Sequence, residues 1–215
     1  ILVVHGGPGN PNTVFDSLPY KAWEKDFTLV QYDQRGAGRT FSRNLANEAA
    51  SEAATLTVDL MTNDGLELAA WVRDHLTAKK LILFGGSWGA TLALAYAQQY
   101  PDKVSAIVLR AVFTARQSEL DWLYHSGASH LFPEAWARFT SFIPPRERGN
   151  IIAAYHQRLT SGDEAIEAAA ARAWCVGEDT IATFLPSPLV AEAGQRLSLA
   201  RIETHDPGRR CCRAR

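Results

Sequence analysis

The sequence predicts an α/β fold, in which a mostly parallel sheet with flanking helices is followed by a helical segment. Short apolar stretches alternate with stretches of helical periodicity up to about residue 112. The short stretches are apolar on both faces, as in parallel strands that helices cover on both sides. After Val112 the strand pattern stops and helical patterns follow.

Each predicted element has a local reason. Strands are predicted where a short apolar run ends at turn-forming residues, and helices where apolar residues recur every three or four positions. Pro101 closes one helix, Pro133 suits the first turn of another, and Asp163 can cap a third. The predicted strands are residues 1–4, 27–32, 81–84 and 104–109. The predicted helices are 58–76, 89–100, 133–143, 146–160 and 163–183, with an exposed loop or short helix at 44–56.

The composition is that of an ordinary folded protein. Hydrophobic residues make up 47% and charged residues 21% of the 215 residues, which disfavours a disordered or collagen-like chain. Lys and Arg number 22 and Asp and Glu 23, so the balanced charge gives no electrostatic reason to expect a nucleic-acid partner. No apolar run approaches the roughly 18 residues that span a bilayer, so no membrane partner is expected.

The cysteines exclude a disulfide framework, because two of the three, Cys211 and Cys212, are adjacent and the third is Cys175. A reducing compartment, the cytoplasm, is therefore expected. Residues 206–215 also hold four Arg, unlike the mildly acidic remainder of the chain. Adjacent cysteines without matching Cys or His spacing argue against a zinc site in this segment.

The sharpest motif is Gly85-Gly86-Ser87-Trp88-Gly89, which fits the G-x-S-x-G pattern between a predicted strand and a predicted helix. In such a turn, small residues let the backbone reverse tightly and expose the serine hydroxyl at the carboxyl edge of the sheet. Ser87 is therefore predicted to be a nucleophile, with the backbone N–H of Trp88 as one donor to a developing oxyanion. The alternative is a plain glycine-rich turn in which Ser87 only caps the helix.

Two further turns follow predicted strands. His5-Gly6-Gly7-Pro8-Gly9 can supply a second backbone N–H to an oxyanion, and Gly7 is the predicted donor, unless packing alone shapes this loop. His5 is expected to be structural, because in this arrangement the base follows the nucleophile along the chain. Asp33 and Arg35, at the start of a glycine-rich loop, are expected to fix that loop rather than to contact a substrate.

Together these three motifs resemble the proline iminopeptidase (prolyl aminopeptidase) family of serine peptidases, which have the α/β-hydrolase fold. The resemblance covers nearly all of residues 1–205 and continues through 85–98, 108–110, 127–128, 132–136, 153–155 and 185–187. It implies a partial hydrolase core at 1–112, which carries the nucleophile, and a helical cap at 113–205. It also implies that the substrate is a peptide from which an N-terminal proline is released. No metal or other cofactor is implied.

The resemblance further implies two carboxylates in the cap that hold the free amino end of the substrate. One lies in a W-S-x-W-E stretch, matched here by residues 174–178, and is Glu178, although Gly177 replaces the second Trp. The other lies in an A-R-I-E-N-H stretch, matched by residues 200–205, and is Glu203. A protonated amine in a dry pocket needs such paired negative charge. Without the resemblance, either Glu would be assigned to a solvated helix face.

The resemblance stops after residue 205, and residues 206–215 are predicted to be an aberrant tail. Because Ile1 lies inside a predicted strand, the chain is expected to be a fragment that lacks both ends. The triad Asp and His of the family are expected to be absent, since no histidine after Ser87 follows a predicted core strand. The histidines set aside are His125, His130, His156 and His205. An inactive, poorly folded chain is therefore expected, and another esterase or amidase of this fold, or a non-catalytic fragment, is the alternative.

Overall fold

One parallel sheet forms the first half of the molecule in this computed structural model, which describes residues 1–10, 18–34, 37–40, 58–182 and 193–205. Its strands are β1 (Leu2–Val4), β2 (Val30–Gln31), β3 (Leu81–Gly86) and β4 (Val104–Arg110). They lie in the order β2-β1-β3-β4. Val3 is opposite Phe84, and Gly86 is opposite Arg110, so β3 and β4 end together at the carboxyl edge.

Helices flank the sheet and make up the second half of the described chain. The α-helices are α1 (Val58–His75), α2 (Trp88–Gln99), α3 (Gln117–Tyr124), α4 (Gly127–Leu131), α5 (Pro133–Ser141), α6 (Ile151–Leu159), α7 (Glu164–Ala182) and α8 (Ala193–Thr204). Short 3-10 helices are found at Leu18–Lys25, Gly38–Thr40, Pro101–Lys103 and Pro145–Asn150. No described helix has both the length and the apolar character needed to cross a membrane.

The predicted fold class is confirmed, and the differences are local. The strand expected at 27–32 is reduced to Val30–Gln31, because its partner β1 is only three residues long. The helix expected at 146–160 begins at Ile151, where the Asn150 side chain accepts a hydrogen bond from the Ala153 amide over 3.0 Å. The sequence patterns did not predict helices α3, α4 and α8. The predictions for residues 44–56, Arg35 and residues 206–215 lie outside the described residues.

Two hydrophobic clusters hold the described chain together. The core cluster packs β1 and β3 against α1 and α2, with Trp88 and Leu83 almost fully buried. The cap cluster lies among α3, α5, α6, α7 and α8 and is rich in aromatic residues, including Tyr155 and Trp174. Phe113 packs against both clusters, and its carbonyl accepts a hydrogen bond from the Thr91 hydroxyl over 2.7 Å. The cap is therefore joined to the sheet just after β4.

Candidate active site

Ser87 occupies the strained turn that the G-x-S-x-G pattern predicts. It lies between the end of β3 and the first residue of α2, with φ 55° and ψ −122°, and its side chain is exposed. A residue other than glycine keeps such a conformation only where its surroundings hold it. Here the Ser87 amide donates to the Arg110 carbonyl over 3.0 Å, and the Ser87 carbonyl accepts from the Ala90 amide over 2.9 Å. The turn therefore presents a hydroxyl at the carboxyl edge of the sheet.

The glycines of the motif are required by close backbone approach. A Cβ at Gly85 would collide with the carbonyl of Gly89, and a Cβ at Gly89 would collide with the carbonyl of Val4. These neighbours are backbone atoms, which cannot move aside as a flexible side chain can. The spacing of glycines around Ser87 is therefore set by how tightly α2 starts against β1.

The turn after β1 lies directly against Ser87. A Cβ at Gly6 would be 3.2 Å from the Ser87 Cβ and 3.0 Å from the Gly86 carbonyl oxygen. The Asn10 amide closes this turn by donating to the Gly6 carbonyl over 3.2 Å. Gly7 has φ 110°, and a Cβ there would lie 2.5 Å from the Gly9 nitrogen, so only glycine fits without strain. This arrangement places Gly6, the neighbour of the predicted Gly7 donor, beside Ser87, and the donor role of Gly7 remains a prediction.

Trp88, the other predicted oxyanion donor, is the first residue of α2. An N–H in the first turn of a helix has no acceptor within that helix, so the Trp88 amide can donate to another group. Its side chain is almost fully buried in the core cluster, which fixes the backbone at this position.

His5 is held by hydrogen bonds on both sides. Its Nε2 accepts from the Gln34 amide over 2.8 Å, and its carbonyl accepts from the Gln34 side-chain amide over 2.8 Å. Burial lowers the pKa of His5, which favours the neutral ring that can accept such a bond. These bonds tie the loop after β2 to the turn after β1, which is a structural function.

The cap brings the two predicted carboxylates together. Tyr124 Oη donates to Glu178 Oε1 over 2.7 Å, and Trp174 Nε1 donates to Glu203 Oε2 over 2.7 Å. The rings of Tyr124 and Trp174 stack with their centroids 5.2 Å apart and their planes at 21°. Both glutamates are partly buried, one on α7 and the other on α8.

The electrostatics of the two glutamates show that they interact. Burial raises the pKa of Glu178, and the hydrogen bond from Tyr124 opposes that rise. Burial also raises the pKa of Glu203 well above its usual value, and the negative charge of Glu178 raises it further. Two carboxylates that repel each other in a partly buried site favour a nearby cation.

Helix α8, which carries Glu203, packs against the turn beside Ser87. A Cβ at Gly9 would lie 3.1 Å from Ile202 Cδ1 and 3.5 Å from Leu199 Cδ1. Ile202 is buried and precedes Glu203 in the helix. The turn after β1 therefore contacts the Ser87 turn on one side and the glutamate-bearing helix on the other.

The glycine that departs from the W-S-x-W-E pattern has a local explanation. A Cβ at Gly177 would lie 2.5 Å from the ring of Phe139, so α5 and α7 approach more closely than a tryptophan at this position would allow. Beside this contact lies an open pocket, and its empty space, together with the open solvent at its mouth, amounts to about 310 Å³. Its lining is mostly apolar and includes Leu123, Tyr124, Trp136, Phe139, Gly177 and Glu178.

Arg110 was not among the predicted site residues. A Cβ at Gly86 would lie 3.5 Å from Arg110 Nε and 3.6 Å from Nη2, so the guanidinium lies over the residue that precedes Ser87. No acidic side chain in the described part of the chain pairs with it. Arg110 ends β4 directly opposite Gly86, so a correct prediction of the register between β3 and β4 would have placed this arginine beside the Ser87 turn.

Comparison with known proteins agrees with this geometry. The α/β hydrolase fold family matches residues 1–193. The chain belongs to the α/β hydrolase fold family. It is 41% identical over 210 residues to a proline iminopeptidase of Xylella fastidiosa strain 9a5c, covering 95% of this chain and 63% of that protein. A proline iminopeptidase of Arabidopsis thaliana is 40% identical, with 95% and 52% covered, and one of Neisseria gonorrhoeae is 35% identical, with 95% and 62% covered.

These similarities confirm the resemblance to proline iminopeptidases that the motifs indicated. The chain spans between about half and just under two thirds of the length of these relatives. The parts of the relatives that carry a given activity therefore need not all have counterparts in this α/β hydrolase chain.

The base that a serine hydrolase needs is not assigned by the described residues of this α/β hydrolase. None of them forms a hydrogen bond with the Ser87 hydroxyl. His156 Nδ1 lies 3.0 Å from the Thr204 hydroxyl oxygen, and the His156 ring lies 5.4 Å from that of His205. His130 contacts the Ser126 carbonyl within its own short helix. The absence of a triad Asp and His therefore stays a prediction.

The described residues offer no metal centre. No group of three or more His, Cys, Asp or Glu side chains in the described ranges could hold a metal ion. The glutamate pair is instead completed by aromatic donors, Tyr124 and Trp174. These donors were missed by sequence reasoning, since aromatic residues at helical spacing indicate a core rather than a site.

Proposed function

We propose that this chain is part of a serine peptidase that releases an N-terminal proline from peptides. The observation that carries this proposal is the interacting pair Glu178 and Glu203. Helix α8, which carries Glu203, packs against the turn beside Ser87. Paired carboxylates suit the protonated amino end of a peptide, because charge-assisted hydrogen bonds are strong in a partly buried site. A cleavable bond one residue from that amine would then lie near Ser87.

The chemistry follows from the placement of the backbone groups. Ser87 Oγ would attack the carbonyl carbon of the amino-terminal residue, and its proton would pass to a histidine base. The N–H groups of Gly7 and Trp88 would stabilise the negative charge that develops on the carbonyl oxygen. The base would then return its proton to the leaving amine, and water would release proline from the acyl-enzyme.

The printed names of the relatives support the same substrate class, because three of them, at 35–41% identity, are called proline iminopeptidase. The proposed partner is therefore a peptide substrate with an N-terminal proline. A cytoplasmic location is part of the proposal, on the ground that Cys175 is a buried free thiol.

The test compares substrates on two proteins. One is the chain itself, and the other is the chain joined to the segments that the Xylella fastidiosa relative has outside the matched region. We expect the joined protein to cleave a prolyl amide at least about 100-fold faster than its N-acetylated counterpart, as expected for loss of charge-assisted hydrogen bonds. Ser87→Ala in the same background is the control.

Two results would contradict the proposal. Equal rates on the free and the acetylated amide would mean that the two carboxylates do not bind the free amino group of the substrate. Cleavage of a simple acyl ester with no cleavage of the prolyl amide would favour an esterase of this fold instead.

A further inference from the structure

The joining segment, residues 111–116, leads from the Ser87 turn into the helices of the cap cluster. It follows Arg110, the last residue of β4, whose carbonyl accepts a hydrogen bond from the Ser87 amide over 3.0 Å. Phe113, in the middle of the segment, accepts from the Thr91 hydroxyl over 2.7 Å and packs against both hydrophobic clusters. The position of this segment is therefore tied to the sheet close to the candidate nucleophile.

The joining segment has a strained backbone near both of its ends. Ala111 has φ 45° and Ala115 has φ 56°, so both alanines lie in the left-handed region. A residue other than glycine keeps such a conformation only where surrounding contacts hold it. The segment therefore depends on partners that fix its path between β4 and α3.

The Glu119 carboxylate, in the first turn of α3, supplies these contacts. Its Oε2 accepts from the amides of Thr114 and Arg116, each over 3.0 Å. The Thr114 hydroxyl lies 3.0 Å from each carboxylate oxygen, and Arg116 Nη2 donates to Oε1 over 3.3 Å. One carboxylate thus receives hydrogen bonds from both neighbours of the strained Ala115.

These donors also keep the carboxylate charged. Burial alone would raise the pKa of Glu119, but the hydrogen bonds from Arg116 and Thr114 outweigh burial and lower it. A carboxylate that is ionised at neutral pH forms stronger hydrogen bonds to amides than a neutral group does. Glu119 is therefore well suited to hold the strained segment.

The other end of α3 holds one of the candidate amine-binding glutamates. Tyr124, the last residue of this helix, donates through Oη to Glu178 Oε1 over 2.7 Å. Glu119 and Tyr124 are five residues apart in one α-helix, which sets their spacing along its axis at about 7.5 Å. Leu120, between them, is buried in the cap cluster. A continuous run of contacts therefore leads from the Ser87 turn, through the joining segment and α3, to Glu178.

We propose that Glu119 is a positioning residue, which sets the separation between Ser87 and Glu178 by holding the joining segment against the start of α3. This inference rests on the proposed function, in which Glu178 binds the amine and Ser87 attacks the adjacent carbonyl carbon. The separation of these two groups decides whether that carbonyl reaches the nucleophile in a reactive geometry.

Two substitutions separate the acceptor from the charge. Glu119→Ala removes every acceptor that the joining segment uses. Glu119→Gln keeps one side-chain oxygen for the amides of Thr114 and Arg116, so it should restore most of what alanine loses. Ser118→Ala, at an exposed position on the same helix, is the matched control.

The first test measures the separation directly. Nitroxide labels are attached at Lys80→Cys, before β3, and at Gln157→Cys on α6, which are both exposed positions. Serine replaces the two adjacent cysteines, and the remaining Cys175 is buried. Pulsed electron paramagnetic resonance then gives the distribution of distances between the labels, both in the chain itself and in the joined protein.

We expect one narrow distribution of distances in the parent, in Ser118→Ala and in Glu119→Gln. Glu119→Ala should give a broader or displaced distribution, because the strained segment has lost its acceptors. If Glu119→Ala leaves the distribution unchanged, the inference fails while the proposed function stands.

The second test compares two substrates of the joined protein. A prolyl amide uses both Ser87 and the amine-binding glutamates, whereas a simple acyl ester needs only Ser87 and its partners in the reaction. Glu119→Ala should lower kcat on the prolyl amide by about 100-fold, the cost of a misplacement of roughly 1 Å. The change in KM should be much smaller, because both amine-binding glutamates remain, and the loss on the ester should be smaller than that on the amide.

Three results have distinct meanings. Equal losses on the amide and the ester would show that Glu119 only supports folding, and would overturn the positioning role. A loss in Glu119→Gln as large as that in Glu119→Ala would also overturn it, because the acceptor would not be what matters. If the distances change as expected but the joined parent cleaves no prolyl amide, the proposed function fails and Glu119 still places the cap helices relative to the sheet.

Discussion

The two predicted parts of the chain, the core at residues 1–112 and the cap at residues 113–205, prepare their parts of the candidate site by different means. In the core the chemistry depends on backbone shape, with Ser87 at φ 55° and Gly89 pressed against the Val4 carbonyl. In the cap it depends on side chains, because Tyr124 and Trp174 hold the two glutamates by hydrogen bonds. A turn that is fixed by steric exclusion tolerates few substitutions at its glycines. Carboxylates that are held by hydrogen bonds can be altered by replacing one donor side chain at a time.

The two regions also differ in how they are enclosed. In the described part of the core, β4 ends the sheet, and Ile107 and Val108 on it are 37% and 48% exposed. The cap instead surrounds its aromatic cluster and buries an ion pair between Arg201 and Glu167. Within the described residues the aromatic cluster of the cap is therefore more fully enclosed than β4.

The largest expected effect lies in the core. Ser87→Ala in the chain joined to the relative's segments should lower kcat on a prolyl amide by a factor on the order of 10⁶, because the residues of a triad act as a unit. Steady-state kinetics with a chromogenic amide measures this loss. Ser118→Ala, at an exposed position on α3, is the matched control and should keep the parental rate. Activity within tenfold of the parent would remove Ser87 from the nucleophile role.

The next effect concerns the stability of the cap. Arg201→Met should lower the free energy of unfolding by about 3–5 kcal/mol, because it leaves the buried Glu167 carboxylate without its cation. Arg201 Nη2 lies 2.9 Å from Glu167 Oε1, and the two side chains are only 11% and 9% exposed. Urea unfolding measures the change. Replacing both partners by apolar residues should recover most of the loss, and an additive loss would contradict the pairing.

A set of glycine substitutions compares the two regions directly. Gly89→Ala should destabilise the core by about 3 kcal/mol, because its Cβ would meet the Val4 backbone. Gly177→Ala in the cap should cost less, about 1 kcal/mol, since the Phe139 ring can shift and alanine favours the helix. Gly149→Ala meets no atom within 4 Å and should change stability by less than about 0.5 kcal/mol. Thermal unfolding in the reverse order would refute the steric account.

A further prediction links function to stability through Glu203. Glu203→Gln should weaken transition-state binding of a free-amine substrate by roughly 1.5–3 kcal/mol, the value of a charge-assisted hydrogen bond. It should affect an N-acetylated substrate much less. A comparison of kcat/KM on the two substrates measures this. Equal losses would indicate a structural glutamate.

The same variant should be more stable than the parent at neutral pH, by about 1 kcal/mol or 2–4 °C in Tm. The pKa of Glu203 is raised above its usual 4.5 in the folded chain, so the folded state keeps a proton that the unfolded chain has released. Stability of the parent therefore falls as pH rises from 4.5 through the raised pKa. Glutamine carries no charge, so its advantage should be absent below pH 4.5 and present above this window. If Glu203→Gln were more stable than the parent by the same amount at all pH values, the raised pKa of Glu203 would not be the cause.

Several features follow from the sequence by itself. The order of the four strands and of the two α-helices between them, the turn at Ser87 and the glycine turn at residues 5–9 were predictable, because each depends on a few neighbouring residues. A glycine is needed wherever a Cβ would strike the backbone, and that requirement appears directly as a motif. The two cap glutamates came from the resemblance alone, since an isolated Glu on a helix carries no signal.

The tertiary structure decided what surrounds these groups. Tyr124 is 54 residues from Glu178, and Trp174 is 29 residues from Glu203, so no local pattern could pair them. The same holds for Phe139 beside Gly177 and for Arg110 over Gly86. Backbone sterics act within a turn and are written into consecutive residues, whereas these contacts exist only once the helices and strands have packed. The sequence therefore determined where the strained turn at Ser87 lies, and packing decided how the two carboxylates are held.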